Sequence, residues 1–548
     1  MPSNASSVPP AAWPDTWDEE VDLLVIGFGA AGASAALDAQ ARGASVAIVD
    51  SYDGGGATAM SGGVVYAGAT RYQTQAGVED SVEETAKYLQ YELKGAASPE
   101  TIARYARESA GIIDWLAELG VPFEGTPWAE KTILPPDGHH LYYAGNEKFP
   151  SYKAIAKPAM RGHRAVGSGM TGHVLFDALR ARVEERGIAV HRHCPARRLI
   201  MDGEGRVIGA EVEQMPAESH ALRRAIYAGV VPLKPFAADK EQKALATCRA
   251  LEAAKPGQRR FIRARRGVVL ATGGFELDLE RIGRHRPILA DNYKSLMRLM
   301  TLGSDGSGLT LGEAAGGAVT AMDSFYLGRV LAPPNALLRG ILVNRDGARI
   351  INEEAYGGFV GEAIASQPGG EAWLILSGAS FREALKEIAT GGRIAFRFYG
   401  LPTLLNVLAG RTKRAGTIAR LAGKCGIDAA HLAQTVAEYD ADARAGTDRL
   451  EKTAANVQPL GDGPFYALCM SMNNRVAFTQ TLTLGGLRVE EESGEIVRGD
   501  GSPIAGLYGA GRVAAGLCSR GYISGMSLGD AVFAARRAVA HALRDMPA

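Results

Sequence analysis

The chain is 548 residues long and carries 60 basic residues against 60 acidic ones. That length allows two or more domains with full hydrophobic cores, and the balanced charge gives no global field to recruit nucleic acid or an anionic membrane. Five cysteines stand far apart without a CxxC pair, which argues against a disulfide framework, a zinc site or an iron–sulfur cluster and fits a reducing cytoplasm with no metal.

Residues 1–20 are rich in Pro, Ala and Ser, carry Asp15, Asp18, Glu19 and Glu20, and lack the basic start and apolar core of a signal peptide. They read as a short disordered lead. No run of about 18 apolar residues occurs anywhere, so no transmembrane helix is expected.

Val21 to Asp50 then reads as strand, glycine turn, helix and second strand. Val21 and Leu23 to Ile26 form the first strand, Gly27-Phe-Gly-Ala-Ala-Gly32 the turn, and the alanine-rich Ala33 to Arg42 the helix, which Gly43 ends. Gly27 permits the tight turn, Gly29 lets the backbone approach a pyrophosphate at the helix N-terminus, and Gly32 allows close packing of helix on sheet. Asp50, about 20 residues further on, is placed to accept hydrogen bonds from an adenosine ribose and to disfavour a 2′-phosphate. The next run, Gly54-Gly-Gly-Ala-Thr-Ala-Met-Ser-Gly-Gly63, distinguishes FAD from NAD. The longer FAD needs a second loop against its ribityl chain and flavin, and backbone amides with the hydroxyls of Thr58 and Ser61 suit that task.

Val82 to Leu119 is helical in pattern, with Pro99 opening one helix and Gly120 closing it. Pro122 to Lys153, rich in Gly, Pro and aromatics, reads as loop whose rings either line an apolar site or pin the segment. Thr171 to Gly187 is an amphipathic helix, and Ile188–Arg192, Ala196–Met201 and Arg206–Val212 read as a β-meander beside the nucleotide domain. The basic, helix-prone insertion at 216–257 reads as a solvated decoration, with peripheral membrane or partner contact as the alternative. Gly267 to Glu276 is a buried strand running into a glycine turn that returns the chain to the first sheet. Gly303 to Gly308 opens a helix over Leu309–Ala315, and Ile341 to Glu353 reads as a hairpin turning at Asp346-Gly347. Residues 286–454 form the candidate inserted domain, 21–285 and 455–548 the two parts of the nucleotide domain. In the last part a glycine-flanked helix from Gly525 through Ala542 offers an anion site, whose amides can stabilise charge on a reduced flavin.

The turn GxGxxG, the loop TAxSGG, and the segments LATGGFE, VNRDGARIINE, TLGGLRV, GLYGAGR and GxSLGDAVFAARRA, in that order over nearly the whole chain, resemble the succinate dehydrogenase/fumarate reductase flavoprotein superfamily. The resemblance implies an α/β fold, a Rossmann-like FAD-binding domain built from both chain ends with an inserted α+β catalytic cap, and an active site between them. Cofactor contacts are expected at Gly27, Gly29, Ala31 and Gly32, then at Asp50 and Ser51, then at Ala57, Thr58, Ser61, Gly62 and Gly63. Further contacts are expected at Ala271, Thr272 and Gly273 and at Gly511, Ser527 and Leu528, and by the resemblance Ala196 would offer its backbone to the adenine. No histidine lies in or beside the Gly54–Gly63 loop in sequence, so the FAD is expected to be held without a covalent link.

The His/Arg-rich site of the dicarboxylate branch is missing. Instead Tyr522-Ile-Ser-Gly-Met-Ser527 resembles the Tyr-x-Ser-Gly-x-Ser segment of 3-ketosteroid Δ4-dehydrogenases, and Ser324-Phe-Tyr326 sits where that family carries a second tyrosine. Its Δ1 cousins carry proline and glycine where this chain has Ile523-Ser524. The resemblance implies a C4–C5 dehydrogenation of an apolar steroid with an external electron acceptor. In that scheme Tyr522 and the Met526 amide form an oxyanion hole for the C3 carbonyl, Tyr326 is the base with Ser524 as relay, and hydride passes to the flavin. The alternatives are a Δ1-dehydrogenase, a reductase of α,β-unsaturated carbonyl or acid substrates, and an FAD subunit that depends on partner electron-transfer chains.

Overall fold

The computed structural model describes residues 13–230, 238–390, 396 and 400–545. Residues 1–12 of the expected lead lie outside that set. Its C-terminal part is not loose: the strand Glu19–Ile26 already pairs with Ile262 at Glu19, and the Asp18 amide donates to Phe261 O. The acidic residues of the lead find partners on the next strand, Glu19 with Arg260 and Glu20 with Arg263, which is why the strand begins before the apolar run.

One eight-stranded sheet organises the molecule. Its main order is Glu495–Val497, Pro503–Gly509, Gln258–Leu270, Glu19–Ile26, Val46–Val49 and Ala189–His191, parallel except at the first pair. Ala196–Met201 and Val207–Gln214 form the expected meander, which pairs antiparallel with the first half of Gln258–Leu270. The long strand is therefore two strands in one: a polar half that carries the meander and a buried Val268–Leu270 half inside the parallel core. Glu19–Ile26 is flanked by its sequence neighbour on one side and by Gln258–Leu270 on the other, so the order reverses beside it. Ligands of such sheets bind at that reversal, beyond the carboxyl ends of the strands.

The helix Ala30–Ala41 is buried from Ala30 to Ala39. Its alanine face lets it lie close between the sheet and the C-terminal helix Met526–Ala542, itself largely buried. Val82–Glu92 and Pro99–Glu118 are the two helices of the next segment, each opened by a serine, Ser81 and Ser98, that accepts a backbone amide of its first turn. Such a cap contributes about 1 kcal/mol.

The segment expected as loop at 122–153 contains Pro127–Trp128 and Leu141–Tyr142, edge partners in a four-stranded sheet with Gly162–Arg164 and Val64–Tyr66. Two-residue strands are too short to show alternation, and the pairing is decided by tertiary contact.

The inserted domain is built on a second four-stranded sheet, Ile341–Val343, Trp373–Ser377, Phe465–Cys469 and Thr412–Ala415. Phe465–Cys469, which lies beyond the expected boundary at 454, pairs into this sheet and not into the eight-stranded one. The Asp346-Gly347 turn forms as expected, with Gly347 at φ 82 and a single bridge between Val343 and Arg349. A three-stranded sheet of Leu296–Arg298, Thr479–Thr483 and Phe325–Gly328 carries Tyr326 to the cleft that opens at the carboxyl ends of the parallel strands.

Candidate active site

The carboxyl ends of four parallel strands open on one cleft. Gly27 to Ala31 follow the first, Asp50 the second, Ala271 to Gly273 the third and Gly511 the fourth, and all line it. Its open space is about 1830 Å³. That figure includes space open to solvent; the lining is continuous from the glycine turn at one end to Tyr326, Tyr356 and Tyr522 at the other.

The turn at its base is shaped for close approach. Gly27 has φ +106, and a Cβ there would sit 2.5 Å from Ala271 O; a Cβ on Gly32 would sit 1.9 Å from Gly27 O. The side-chain hydroxyl of Thr58 accepts from the Ala30 amide at 3.0 Å, tying the second glycine loop to the first helix turn. Two helices begin at the cleft, Ala30–Ala41 after Gly29 and Met526–Ala542 after Gly525, and neither has a side-chain cap. Their first-turn amides point positive charge density at one space, which suits an anionic pyrophosphate at one end and an electron-rich ring at the other. The Thr272 hydroxyl, buried and without a protein partner, lines the same space. The donors and the cradle fit FAD.

At the adenosine end the Asp50 carboxylate accepts from the Phe28 and Tyr52 amides, each at 2.7 Å. Burial pushes its carboxyl up and those amides pull it back. The insertion at 216–257 is no peripheral decoration. It folds into helices Ala217–Gly229 and Ala238–Ala254, and from the first the fully buried Arg223 donates to Ser51 O at 2.7 Å and pairs with Glu252 at 2.6 Å. Tyr227 stands 4.9 Å from the Tyr52 ring and lines the cleft with it. Sequence periodicity marks these helices but not the buried arginine that turns one of them inward.

The far end is apolar and aromatic. Tyr326, Tyr356 and Tyr522 surround one point, with ring centroids 4.8 Å apart for Tyr326 and Tyr522, 6.0 Å for Tyr326 and Tyr356, and 6.4 Å for Tyr356 and Tyr522. All three hydroxyls are pushed above the usual phenol value by burial. For Tyr326 the rise stops at about 12, burial being partly offset by the neighbouring Tyr356, and its hydroxyl donates to Gln480 Oε1 at 3.5 Å. Tyr522 is raised further, with the thiol of Cys518 adding to burial. Burial raises Tyr326 the least of the three, and all keep their protons in the neutral range. No lining residue is a histidine, and the lining Arg512 is paired with Glu276.

Of the residues expected from sequence, Gly27, Gly29, Ala31, Asp50, Ala57, Thr58, Ser61 and Gly62 line the cleft. So do Ala271, Thr272, Gly273, Gly511, Ser527 and Leu528, together with Tyr326, Tyr522 and Ser524. Five expected residues do not. Gly32 is a packing glycine under the turn, and a Cβ on Gly63 would meet Thr171 at 2.6 Å. Ser51 presents its carbonyl to Arg223 instead. Ala196 opens its strand opposite Val212, away from the lining. Met526 is fully buried and its amide donates to Ile523 O at 3.2 Å, so the amide expected in an oxyanion hole is already used. The neighbouring Gly525 lines the cleft, and its amide has no acceptor among the described residues. Ser524 donates to Ile133 O at 3.3 Å and shares a 2.7 Å hydrogen bond with the Tyr142 hydroxyl, with no bond to Tyr326.

A family model described as an FAD binding domain matches residues 22–525. The chain belongs to this family of FAD-binding flavoproteins. The flavoprotein is 32% identical, over 90% of its length and 93% of the relative's, to the 3-oxo-5-alpha-steroid 4-dehydrogenase of Comamonas testosteroni. It is 27% identical to the 3-oxosteroid 1-dehydrogenase of Mycobacterium tuberculosis over 92% of this chain and 94% of that one. Among solved structures it is similar to the 3-ketosteroid-delta4-(5alpha)-dehydrogenase from Rhodococcus jostii RHA1 in complex with 4-androstene-3,17-dione. There the TM-score is 0.80 and the identity 31%, covering 98% of this chain and 99% of that one. The flavoprotein is an FAD-dependent oxidoreductase with the fold expected from its motifs.

Proposed function

We propose that this flavoprotein introduces a C4–C5 double bond into a 3-ketosteroid. The observation that carries the reading is the convergence of Tyr326, Tyr356 and Tyr522 at one end of the cofactor cleft, with the Tyr326 and Tyr522 rings 4.8 Å apart. Two phenols so close can serve one substrate as hydrogen-bond donor and as base. Similarity to 4-dehydrogenases over nine-tenths of the chain supports the same bond.

The C3 ketone of the substrate makes its C4 hydrogen acidic. Tyr522 donates to the carbonyl oxygen and stabilises the enolate that forms as C4 loses its proton, contributing about 3 kcal/mol. The Gly525 amide supplies the second donor in place of Met526. Tyr326, as tyrosinate, takes the C4 proton, and the neighbouring Tyr356 favours that ionised form. Bound FAD supplies the two-electron acceptor for the hydride that leaves C5. The residues around the tyrosines are apolar, with Leu134, Leu299 and Leu482 in the wall, which suits a hydrocarbon skeleton and keeps water from the enolate.

A panel of saturated 3-ketosteroids with an artificial electron acceptor tests the reading, with deuterium at C4, at C5 and at C1 in turn. A primary isotope effect from C5 on flavin reduction and none from C1 is expected. An effect from C1 would make the enzyme a 1-dehydrogenase, and turnover only in the reducing direction would make it a reductase.

A further inference from the structure

Nine large hydrophobic side chains are exposed among the described residues, and four of them fall between 396 and 408: Phe396 at 42%, Leu401 and Val407 at 38%, and Leu408 at 82%. They belong to, or just precede, the helix Leu401–Leu408. Leu401 and Leu408 are seven residues apart and so share a face. Asn406, off that face, fastens the helix to the inserted domain by donating to Cys469 O at 3.3 Å and accepting from Asn474 at 3.1 Å. The apolar face is left outward.

Charge is segregated around it. Between Ile388 and Ile427 the sequence holds seven Lys or Arg and no Asp or Glu, in a chain whose net charge is zero. Five of the seven, Arg411, Lys413, Arg414, Arg420 and Lys424, are described, and no described carboxylate pairs with any of them, although most arginines elsewhere are paired. Lys413 and Lys424 donate only to the carbonyls of Gly410 and Arg414. Of these cations all but Lys413 are exposed. Apolar side chains beside unpaired cations match the two layers of an anionic bilayer surface, acyl boundary and phosphate headgroup. A second copy of the chain fits poorly, because a two-fold contact through this patch would bring its cations face to face. No described helix is long and apolar enough to cross a membrane, and this one has eight residues.

We propose that the helix Leu401–Leu408 docks the enzyme on an anionic lipid surface, with Phe396, Leu401 and Leu408 entering the acyl boundary and Arg411, Arg414, Arg420 and Lys424 meeting headgroup phosphates. In the insertion at 216–257, Leu222 alone of the described large hydrophobic residues is exposed, while Arg223 binds Ser51 O and Tyr227 lines the cofactor cleft, whereas 396–408 gathers four exposed apolar side chains. The proposal is independent of the steroid reading, since it is measured without substrate.

The holoenzyme is sedimented with vesicles of phosphatidylcholine alone and of phosphatidylcholine with phosphatidylglycerol. Binding is expected to the anionic vesicles, weakening with salt, and to fall by at least about tenfold in Leu401→Asp/Leu408→Asp and again in Arg411→Glu/Arg414→Glu. Both variants are expected to keep wild-type flavin content, which reports an intact fold. Failure of the wild type to sediment with anionic vesicles, or equal sedimentation of wild type and both variants, would overturn the proposal. So would a dimer in light scattering that Leu408→Asp splits while vesicle binding is absent, which would assign the face to a second copy.

Discussion

Replacement of Tyr326 by phenylalanine is the sharpest test of the catalytic assignment. The hydroxyl sits at about 12, so at pH 8 it lies about four units below half-ionisation and only about one enzyme in 10⁴ holds the tyrosinate. If the tyrosinate removes the C4 proton, single-turnover flavin reduction at saturating steroid should rise about tenfold per pH unit between about pH 7 and 10. The direction follows from the raised value: the group keeps its proton through the neutral range, and activity grows as that proton is lost. Tyr326→Phe should remove the slope and lower the rate at pH 9 by about 10²–10⁴-fold, the range for loss of a general base. The assay is the loss of oxidised-flavin absorbance in a stopped-flow instrument, with and without deuterium at C4. A flat wild-type profile, or a variant that keeps the slope, would show that the proton goes to another group.

Tyr522→Phe should cut turnover by about 10²–10³-fold with flavin content and pH slope unchanged, because it removes one donor to the carbonyl oxygen; near-normal turnover would reduce Tyr522 to packing. Gly32→Ala should yield colourless or unfolded protein, since its Cβ would meet Gly27 O at 1.9 Å and neither backbone can move away; a normal flavin-to-protein ratio would disprove this. Tyr227→Ala should raise the FAD dissociation constant by about tenfold, read by titrating the apoprotein, as a ring beside the adenosine end is lost. Glu92 is fully buried, and burial raises its carboxyl from 4.5 to about 7. A carboxyl raised in the folded state lends stability at low pH that is lost as pH climbs through that window. About 2.5 units at 1.36 kcal/mol each make ionised Glu92 cost about 3 kcal/mol, so Glu92→Gln should raise stability to urea above pH 7 and lose that advantage below about pH 5. An advantage independent of pH would sink the assignment.

The phosphate-binding turn was legible because most of its requirements are local: Gly32 is forced by a clash with Gly27 O, Gly27 by its positive φ, and Asp50 by the length of the strand–turn–helix unit, although the close approach of Ala271 to Gly27 comes from a distant strand. Tyr326 and Tyr522 were legible through motif resemblance, and the structure brings their rings to 4.8 Å from a strand and a loop nearly 200 residues distant in sequence. The Met526 amide was misassigned because a turn bond to Ile523 consumes it, a detail of backbone geometry that residue identities do not carry. Arg223 and Tyr227 lie in an insertion that reads as a solvated decoration, since only the tertiary position of Ser51 and Tyr52 gives a buried arginine its partners. Phe465–Cys469 looked like part of the nucleotide domain because a five-residue apolar strand carries no mark of which sheet it joins.

The sheet that holds the cofactor interleaves the two ends of the chain. Gln258–Leu270 has Glu19–Ile26 on one side and Pro503–Gly509 on the other, and the helix Met526–Ala542 closes against Ala30–Ala41. During synthesis the phosphate-binding turn emerges about 500 residues ahead of the second helix N-terminus and the tyrosine at 522. Over that interval the nascent chain holds an open half-cleft with strand edges exposed, and cofactor capture becomes the event that rewards the longest-range closures in the fold. Flavin supply should then govern the yield of folded enzyme as much as its activity.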